Sequence, residues 1–258
     1  MKTSSSSLKN GLKKLAKYVA ILAFWLLVWK IVSALVDSGI IMVSPRAAFG
    51  RLFGLAQTAP FWQAIGATMW RILYGFGLAL MVGAAMAALS AKFKFFYMLV
   101  LPAVNVMNAV PFASFIVLAL FAMGTANLSV FVPFVMVLPI IFHNTYKGII
   151  STDPQLLDMA RVFRVPYWKK AVHIYLKTVA PYLLSAAQVG IGFAWKSGIA
   201  AELIGQVRGT IGGHLHVARI HLETADLFAW TIAIVLLSYA MERLFLLIFG
   251  RVRAWQLN

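Results

Sequence analysis

Side chains able to do acid–base, nucleophilic or metal chemistry are few in this chain and do not cluster. The 258 residues include no cysteine, which excludes disulfides, thiolate metal sites and thiol catalysis. General acid–base catalysis needs groups that converge on one reacting atom. The seven carboxylates are instead spread along the chain, at Asp37, Asp153, Asp158, Glu202, Glu223, Asp226 and Glu242. This distribution disfavours an enzyme, and we predict no catalytic residue.

One segment with several histidines and glycines suggests two other kinds of site. His214, His216 and His221 are close in sequence, but a His-x-His pair without a clustered carboxylate or thiolate is weak evidence for a metal. A surface loop explains them better, and we predict no metal. The glycines of 205–213 do not form the Gly-x-x-x-x-Gly-Lys-Ser/Thr loop that holds nucleotide phosphates.

The most informative polar segment, 153–177, lies between two long apolar runs. Asp153 is a favourable N-cap and Pro154 suits the first position of a helix. The apolar residues that follow recur at the spacing of one helix face: Leu156, Leu157, Ala160 and Phe163. We therefore expect a short amphipathic helix here.

A second short helix is predicted to begin at Pro166, joined to the first through residues 164–165. Its apolar stripe consists of Trp168, Ala171, Val172 and Tyr175. Two such helices would form a compact knob that fits a groove on a soluble partner. Amphipathicity alone leaves open a second interpretation, in which both helices lie on the bilayer surface.

The composition is that of a membrane protein. Hydrophobic residues make up 62% of the chain and charged residues 12%, whereas soluble domains average about 25% charged residues. A bilayer core of about 30 Å requires roughly 20 apolar residues per helix. We predict an all-α protein with a tail at 1–17 and six spans, at 18–36, 64–89, 95–123, 128–146, 178–204 and 227–249.

Charge asymmetry orients these spans. Fifteen of the Lys and Arg residues fall on one side if the chain crosses six times, and Arg46, Arg51, Arg208 and Arg219 fall on the other. The positive-inside rule then places both termini in the cytoplasm. The net charge of +16 is therefore read as a topology signal with lipid headgroups as counter-charge, and no nucleic-acid partner is predicted.

Several segments resemble the binding-protein-dependent ABC importer permeases of the nitrate/sulfonate/taurine type. Residues 158–160 stand where that family's coupling loop has Glu-Ala-Ala, and 174–176 match the Ile-x-Leu at its end. Further similar segments, in the same order and spacing, are 153–157, 194–198, 200–202 and 223–230, with Pro181 at the position of a second proline. The resemblance covers about residues 44–253.

The resemblance implies a type I ABC importer bundle formed by residues 18–258, with the coupling loop at 153–177. It implies two permease copies, two cytosolic ATPase subunits that bind ATP and Mg, and an extracytoplasmic solute-binding protein, all serving a multi-pass protein of the bacterial inner membrane. A small polar or anionic nutrient would move inward. The residues expected to contact the ATPase are Asp158, Ala160, Arg161, Phe163, Arg164 and Trp168.

Polar residues inside the predicted spans are candidates for a translocation path. Lys196 and Glu202 lie in the fifth span beside Trp195, and Asn108 lies in the third. Ionisable groups inside a membrane are costly unless they face a cavity or a partner. We expect these four residues to line the path. The alternative is that Lys196 pairs with Glu202, or with a carbonyl of another helix, only for packing.

The chain departs from the family pattern in the coupling loop. Arg164 replaces the motif glycine, Met159 the second alanine, and Lys177 the terminal proline. Glycine at that position permits a left-handed backbone, which is strained for arginine. Two other classes of protein stay open on sequence alone: a membrane-embedded enzyme, and a passive channel subunit that would not need the cytoplasmic knob.

Overall fold

A computed structural model describes the backbone of residues 3–36, 39 and 41–255, and the side chains of 16–36, 39 and 41–247. Its described residues form helices without strands. These are α1 Thr3–Val36, α2 Pro45–Ala56, α3 Ala59–Lys92, α4 Lys94–Ala109, α5 Phe112–Met123, α6 Leu128–Ile150, α7 Pro154–Val162, α8 Tyr167–Lys170, α9 Leu176–Ile204, α10 Ile211–Ile220 and α11 Thr224–Trp255. The predicted all-α fold is therefore confirmed.

The larger of two compact units comprises residues 59–216 and 234–258. Its core is formed by α3, α6 and α9, which pack against one another along their lengths. The largest fully buried side chains of this core include Trp195, Phe142, Ile72 and Ile141. Apolar side chains at helical spacing thus fill the centre of the unit.

The smaller unit comprises residues 1–58 and 217–233. Ser44 caps α2 by accepting a hydrogen bond from the Ala47 amide, and Pro45 occupies the first turn of the helix. Arg51 of α2 donates two hydrogen bonds to the Asp226 carboxylate, through Nε and Nη2, and these raise the pKa of Arg51. The ion pair ties α2 to the first turn of α11.

Among the described residues, four helical segments are long and apolar enough to cross a membrane: Ala16–Val36, Ala59–Lys92, Leu128–Ile150 and Thr224–Leu247. They coincide with the predicted first, second, fourth and sixth spans. Helix α9, the predicted fifth span, has the required length but is less apolar, so the count of six stays a prediction. The orientation also stays a prediction, and several residues behind it have side chains outside the described part: Lys2, Lys9, Lys13, Lys14, Arg251 and Arg253.

The predicted third span is broken into two helices. Helices α4 and α5 meet at Val110–Pro111 with a bend of 109°. Val110 adopts an extended backbone, as the residue before a proline prefers, and Pro111 cannot donate the helical hydrogen bond. The pair is therefore a broken span or a re-entrant loop.

Gly75 permits a close approach of α3 to α6. A Cβ atom placed on Gly75 would lie 2.3 Å from the backbone oxygen of Val130, which cannot rotate away. We expect Gly75→Ala to force the helices apart and to destabilise the unit by about 1–3 kcal/mol. Gly77→Ala is the matched control, because nothing lies within 4 Å of its added Cβ. Thermal unfolding in detergent measures both, and equal midpoints would contradict this packing account.

Candidate functional site

Helix α7 begins as the sequence predicts. The Asp153 carboxylate accepts a hydrogen bond of 2.8 Å from the Gln155 amide, and Pro154 occupies the first turn. An aspartate N-cap satisfies an amide that has no partner within the helix. The start of the coupling loop is thus fixed by local chemistry.

The end of α7 explains why a glycine is usual at position 164. Arg164 has φ +50°, in the left-handed region. Its amide donates to the Arg161 carbonyl at 3.0 Å, and the next amide, of Val165, donates to Ala160 at 2.9 Å. These two bonds form the Schellman helix ending. The arginine accepts a backbone strain of about 1–2 kcal/mol that glycine would avoid.

The α7 corner presents exposed aromatic and charged side chains. Phe163 is 75% exposed and Trp168 76%. Arg161 forms the expected i,i+3 ion pair with Asp158, at 3.3 Å between Nη1 and Oδ1, on the exposed surface. We call this the coupling surface, made of the exposed residues Asp158, Arg161, Phe163, Arg164, Tyr167 and Trp168.

Ala160, also predicted to contact a partner, does not share this surface. It is 2% exposed, and its carbonyl accepts the Val165 amide. The methyl group of Ala160 is therefore buried and packs α7 against the rest of the chain. The other five predicted contact residues are accessible, and their contact with a partner stays a prediction.

The predicted second short helix is in fact the beginning of a long one. Helix α8 passes through one π turn, Ala171–Tyr175, directly into α9, with helical backbone at both junctions. The helix thus runs from 167 to 204, about 57 Å at 1.5 Å per residue. The expected two-helix knob is corrected to one short helix and the end of a long helix, because the backbone stays helical through the π turn and past Pro181, which lacks an amide donor. Single π turns inside helices are frequent at functional sites.

At the other end of α9, Glu202 is fully buried and acts as a cap for α10. Its Oε2 accepts hydrogen bonds from the Gly212 amide at 3.2 Å and from the Thr68 hydroxyl at 2.9 Å. Thr68 in turn accepts the Ile211 amide at 3.0 Å, and Thr210 accepts the Gly213 amide at 3.1 Å. The first three amides of α10 are thereby satisfied by side chains, which we call the α10 cap: Thr68, Glu202 and Thr210.

Comparison with known protein families decides the class of the chain. Residues 79–254 match the family described as binding-protein-dependent transport system inner membrane component. The chain belongs to this family. The matched part of the permease includes both the coupling surface and Glu202 in the α10 cap. The permease is a multi-pass membrane transport subunit of the ABC importer class.

Individual relatives agree with this assignment. The permease is 27% identical over 229 residues to a probable ABC transporter permease protein of Brucella abortus, covering 88% of this chain and 90% of the relative. It is 25% identical to a putative aliphatic sulfonates transport permease protein of Bacillus subtilis, covering 80% and 72%. It is 28% identical to a nitrate import permease protein of Synechocystis, covering 54% and 51%. These names support the predicted nitrate/sulfonate/taurine type.

The predicted path residues of the permease occupy different environments. Trp195 is buried and donates from its indole nitrogen to the Ile234 carbonyl at 3.2 Å. Lys196 and Asn108 are exposed on the surface of the chain. In the described part of the chain, Lys196 forms no ion pair with Glu202. The Glu202 carboxylate instead accepts the Gly212 amide as part of the α10 cap. Lining of a path by these four residues stays a prediction.

Sequence reasoning missed several residues in or beside these sites, among them Thr68, Thr210 and Tyr167. Thr68 and Arg71 lie on α3, and Arg71 has a buried Nη1 without a described hydrogen-bond partner. A charged residue inside the predicted second span was the available signal. Lys92 lies 5.2 Å from the Phe93 ring and 5.9 Å from the Tyr167 ring, so the α3–α4 connection borders the coupling surface. No sequence pattern indicated that contact.

Proposed function

We propose that this permease is the transmembrane subunit of an ATP-driven importer. Two cytosolic ATPase subunits bind ATP and Mg, and their closure moves the coupling surfaces of two permease copies. An extracytoplasmic protein delivers a small polar or anionic nutrient. The complex lies in the bacterial inner membrane, with both termini of the permease in the cytoplasm. The permease makes no covalent change to its cargo.

One observation carries this proposal: the coupling surface is exposed and continuous with α9. A continuous helix can transmit displacement along its axis. This helix can also bend at Pro181, which lacks an amide donor. Movement imposed at Trp168 would therefore pass through the π turn to Glu202 at the opposite end. There Glu202 holds the first turn of α10. The arrangement supports a rigid-body switch biased by nucleotide binding in the partner.

The outer segments 37–62 and 205–226 are proposed to receive the binding protein. Asp37 lies outside the described residues. In the smaller unit, a cavity of about 600 Å³ is lined by residues including Arg51, Glu223 and Asp226. In the Arg51–Asp226 ion pair, the Arg51 side chain is half exposed. Such a cleft offers fixed charges and hydrogen-bond donors to a protein partner.

The nutrient is proposed to be a small anion or polar organic compound. Relatives of the permease are named for nitrate, aliphatic sulfonates and bicarbonate. All three are anions with several hydrogen-bond acceptors. Exposed cationic or amide side chains in the spans, such as Lys196 and Asn108, suit ligands of that kind.

Co-purification tests the proposal directly. The tagged permease is expressed with its neighbouring open reading frames and purified in mild detergent. The expected complex contains two permease copies and a nucleotide-binding ATPase, and vesicles show ATP-dependent uptake when the binding protein is supplied. Persistent absence of an ATPase would favour the enzyme or channel alternatives. Outward pumping would contradict import.

Lys196→Ala tests the proposed path. Removing the ammonium should weaken transport of an anionic substrate about tenfold, since a hydrogen bond to a charged group contributes about 1.5–3 kcal/mol. Lys196→Arg is the matched control, because it keeps the positive charge. Initial uptake rates in proteoliposomes, measured over a range of substrate concentrations, give both affinity and flux. If Lys196→Ala leaves affinity and flux unchanged, Lys196 is not in the path.

A further inference from the structure

The corner at Arg164 combines the left-handed backbone that the motif glycine permits with a charged side chain that glycine does not have. Its backbone is left-handed, with φ +50°, and its side chain is exposed. Glycine would adopt this backbone without strain, whereas arginine adds a planar guanidinium that binds carboxylates through two parallel hydrogen bonds. The Schellman bonds of Arg164 and Val165 fix the direction in which that side chain leaves the chain.

The charges around Arg164 leave it without a carboxylate of its own. The segment 153–177 contains five Lys or Arg residues and two aspartates. Asp153 is engaged as the N-cap of α7, and Asp158 pairs with Arg161. Arg164 forms no ion pair in the described part of the chain. The coupling surface therefore carries an excess of positive charge beside the aromatic rings of Phe163 and Trp168.

We propose that Arg164 determines which ATPase this permease accepts, by pairing with a carboxylate on the ATPase. This inference rests on the proposed function. The partner surface it requires is an apolar groove for Phe163 and Trp168 with an aspartate or glutamate at its rim. Charge complementarity of this kind selects among similar partners, because a like charge or an unpaired group in the same place is penalised.

Variants of Arg164 separate the effect of its side-chain charge from the effect of its backbone strain. Arg164→Asn removes the charge while tolerating the left-handed backbone, and Arg164→Gly also removes the strain. Arg164→Glu reverses the charge. Lys177→Glu is the matched control, since Lys177 is exposed on the same segment but outside the α7 corner. The probe is the ATPase that co-purifies with the wild-type permease.

Binding of that ATPase to permease in lipid-free detergent is measured at several salt concentrations. We expect Arg164→Asn and Arg164→Gly to weaken binding about tenfold and to flatten its salt dependence, and Arg164→Glu to weaken it further. Lys177→Glu should change it little. An Asp→Arg or Glu→Arg change at one site on the ATPase rim should restore binding to Arg164→Glu.

Other outcomes distinguish this inference from the proposed function. If all Arg164 variants bind like wild type while Phe163→Asp does not bind, Arg164 is solvated and the inference fails, yet the permease still couples to an ATPase. If Arg164 affects function only in vesicles with anionic lipid, it contacts headgroups and the inference fails. If the wild-type permease captures no ATPase at all, both the inference about Arg164 and the proposed function fail.

Discussion

Phe163→Asp should abolish ATP-driven uptake while leaving the permease inserted and folded. Phe163 is exposed on the coupling surface and supports no core of the chain, so its replacement costs the fold little. In a partner groove, however, an aspartate would bury an uncompensated charge. Aromatic anchors at the centre of an interface commonly contribute about 2–4 kcal/mol, which corresponds to a loss of roughly 30-fold to 1000-fold in affinity.

The measurement combines ATPase co-purification with uptake into proteoliposomes. Phe163→Leu is the control, because leucine keeps an apolar side chain of similar reach and should retain most of the activity. Trp168→Ala should act in the same direction as Phe163→Asp, since Trp168 lies at the start of the long helix. Full uptake by Phe163→Asp, at normal expression, would show that force enters the permease elsewhere.

Glu202→Ala is expected to have the largest effect on stability. It removes the acceptor of the Gly212 amide and the partner of the Thr68 hydroxyl, and it leaves a cavity in a fully buried site. Unsatisfied buried groups and a cavity together cost about 2–5 kcal/mol. The carboxylate also lies at the N-terminus of α10, where the helix dipole favours negative charge.

Two readouts distinguish loss of the α10 cap from general unfolding. Thermal unfolding in detergent reports the whole bundle, and trypsin cleavage after the exposed Arg208 reports opening of the segment before α10. Glu202→Gln keeps an amide oxygen in place of Oε2 and should be much milder. Thr68→Val should resemble Glu202→Ala in the trypsin assay. Equal stability and cleavage for Glu202→Ala and wild type would mean that the cap does not hold α10.

The glycines at the start of α10 are required for close packing, although the sequence places them in a loop. A Cβ atom on Gly212 would lie 2.3 Å from the Glu202 Cβ atom. The α10 cap therefore requires Gly212 as well as the carboxylate. The sequence predicts a surface loop around the histidines of this stretch, and the structure adds that its glycines at the start of α10 are closely packed. Deletion of 209–213 would damage the fold as well as any docking surface.

Local features of the structure could be predicted from the residues alone. Hydropathy identified the segments that become α1, α3, α6 and α11. The Asp153-Pro154 pair identified the start of α7, and the replaced motif glycine identified the left-handed position at Arg164. Each of these depends on one residue type or on a few neighbours in sequence. Such information is present in any short window of the chain.

Only the tertiary structure revealed the contacts between residues that are far apart in sequence. Thr68 and Glu202 are 134 positions apart, and no periodicity links them. The break at Val110–Pro111 and the unbroken helix from 167 to 204 were also missed, although each contains or follows a proline. A proline limits its own backbone and that of its predecessor, but whether the helix bends or continues depends on packing from elsewhere. Sequence thus determined the class of protein and the local chemistry of its coupling segment. Packing between remote helices determined how that segment is connected to Glu202 and the start of α10.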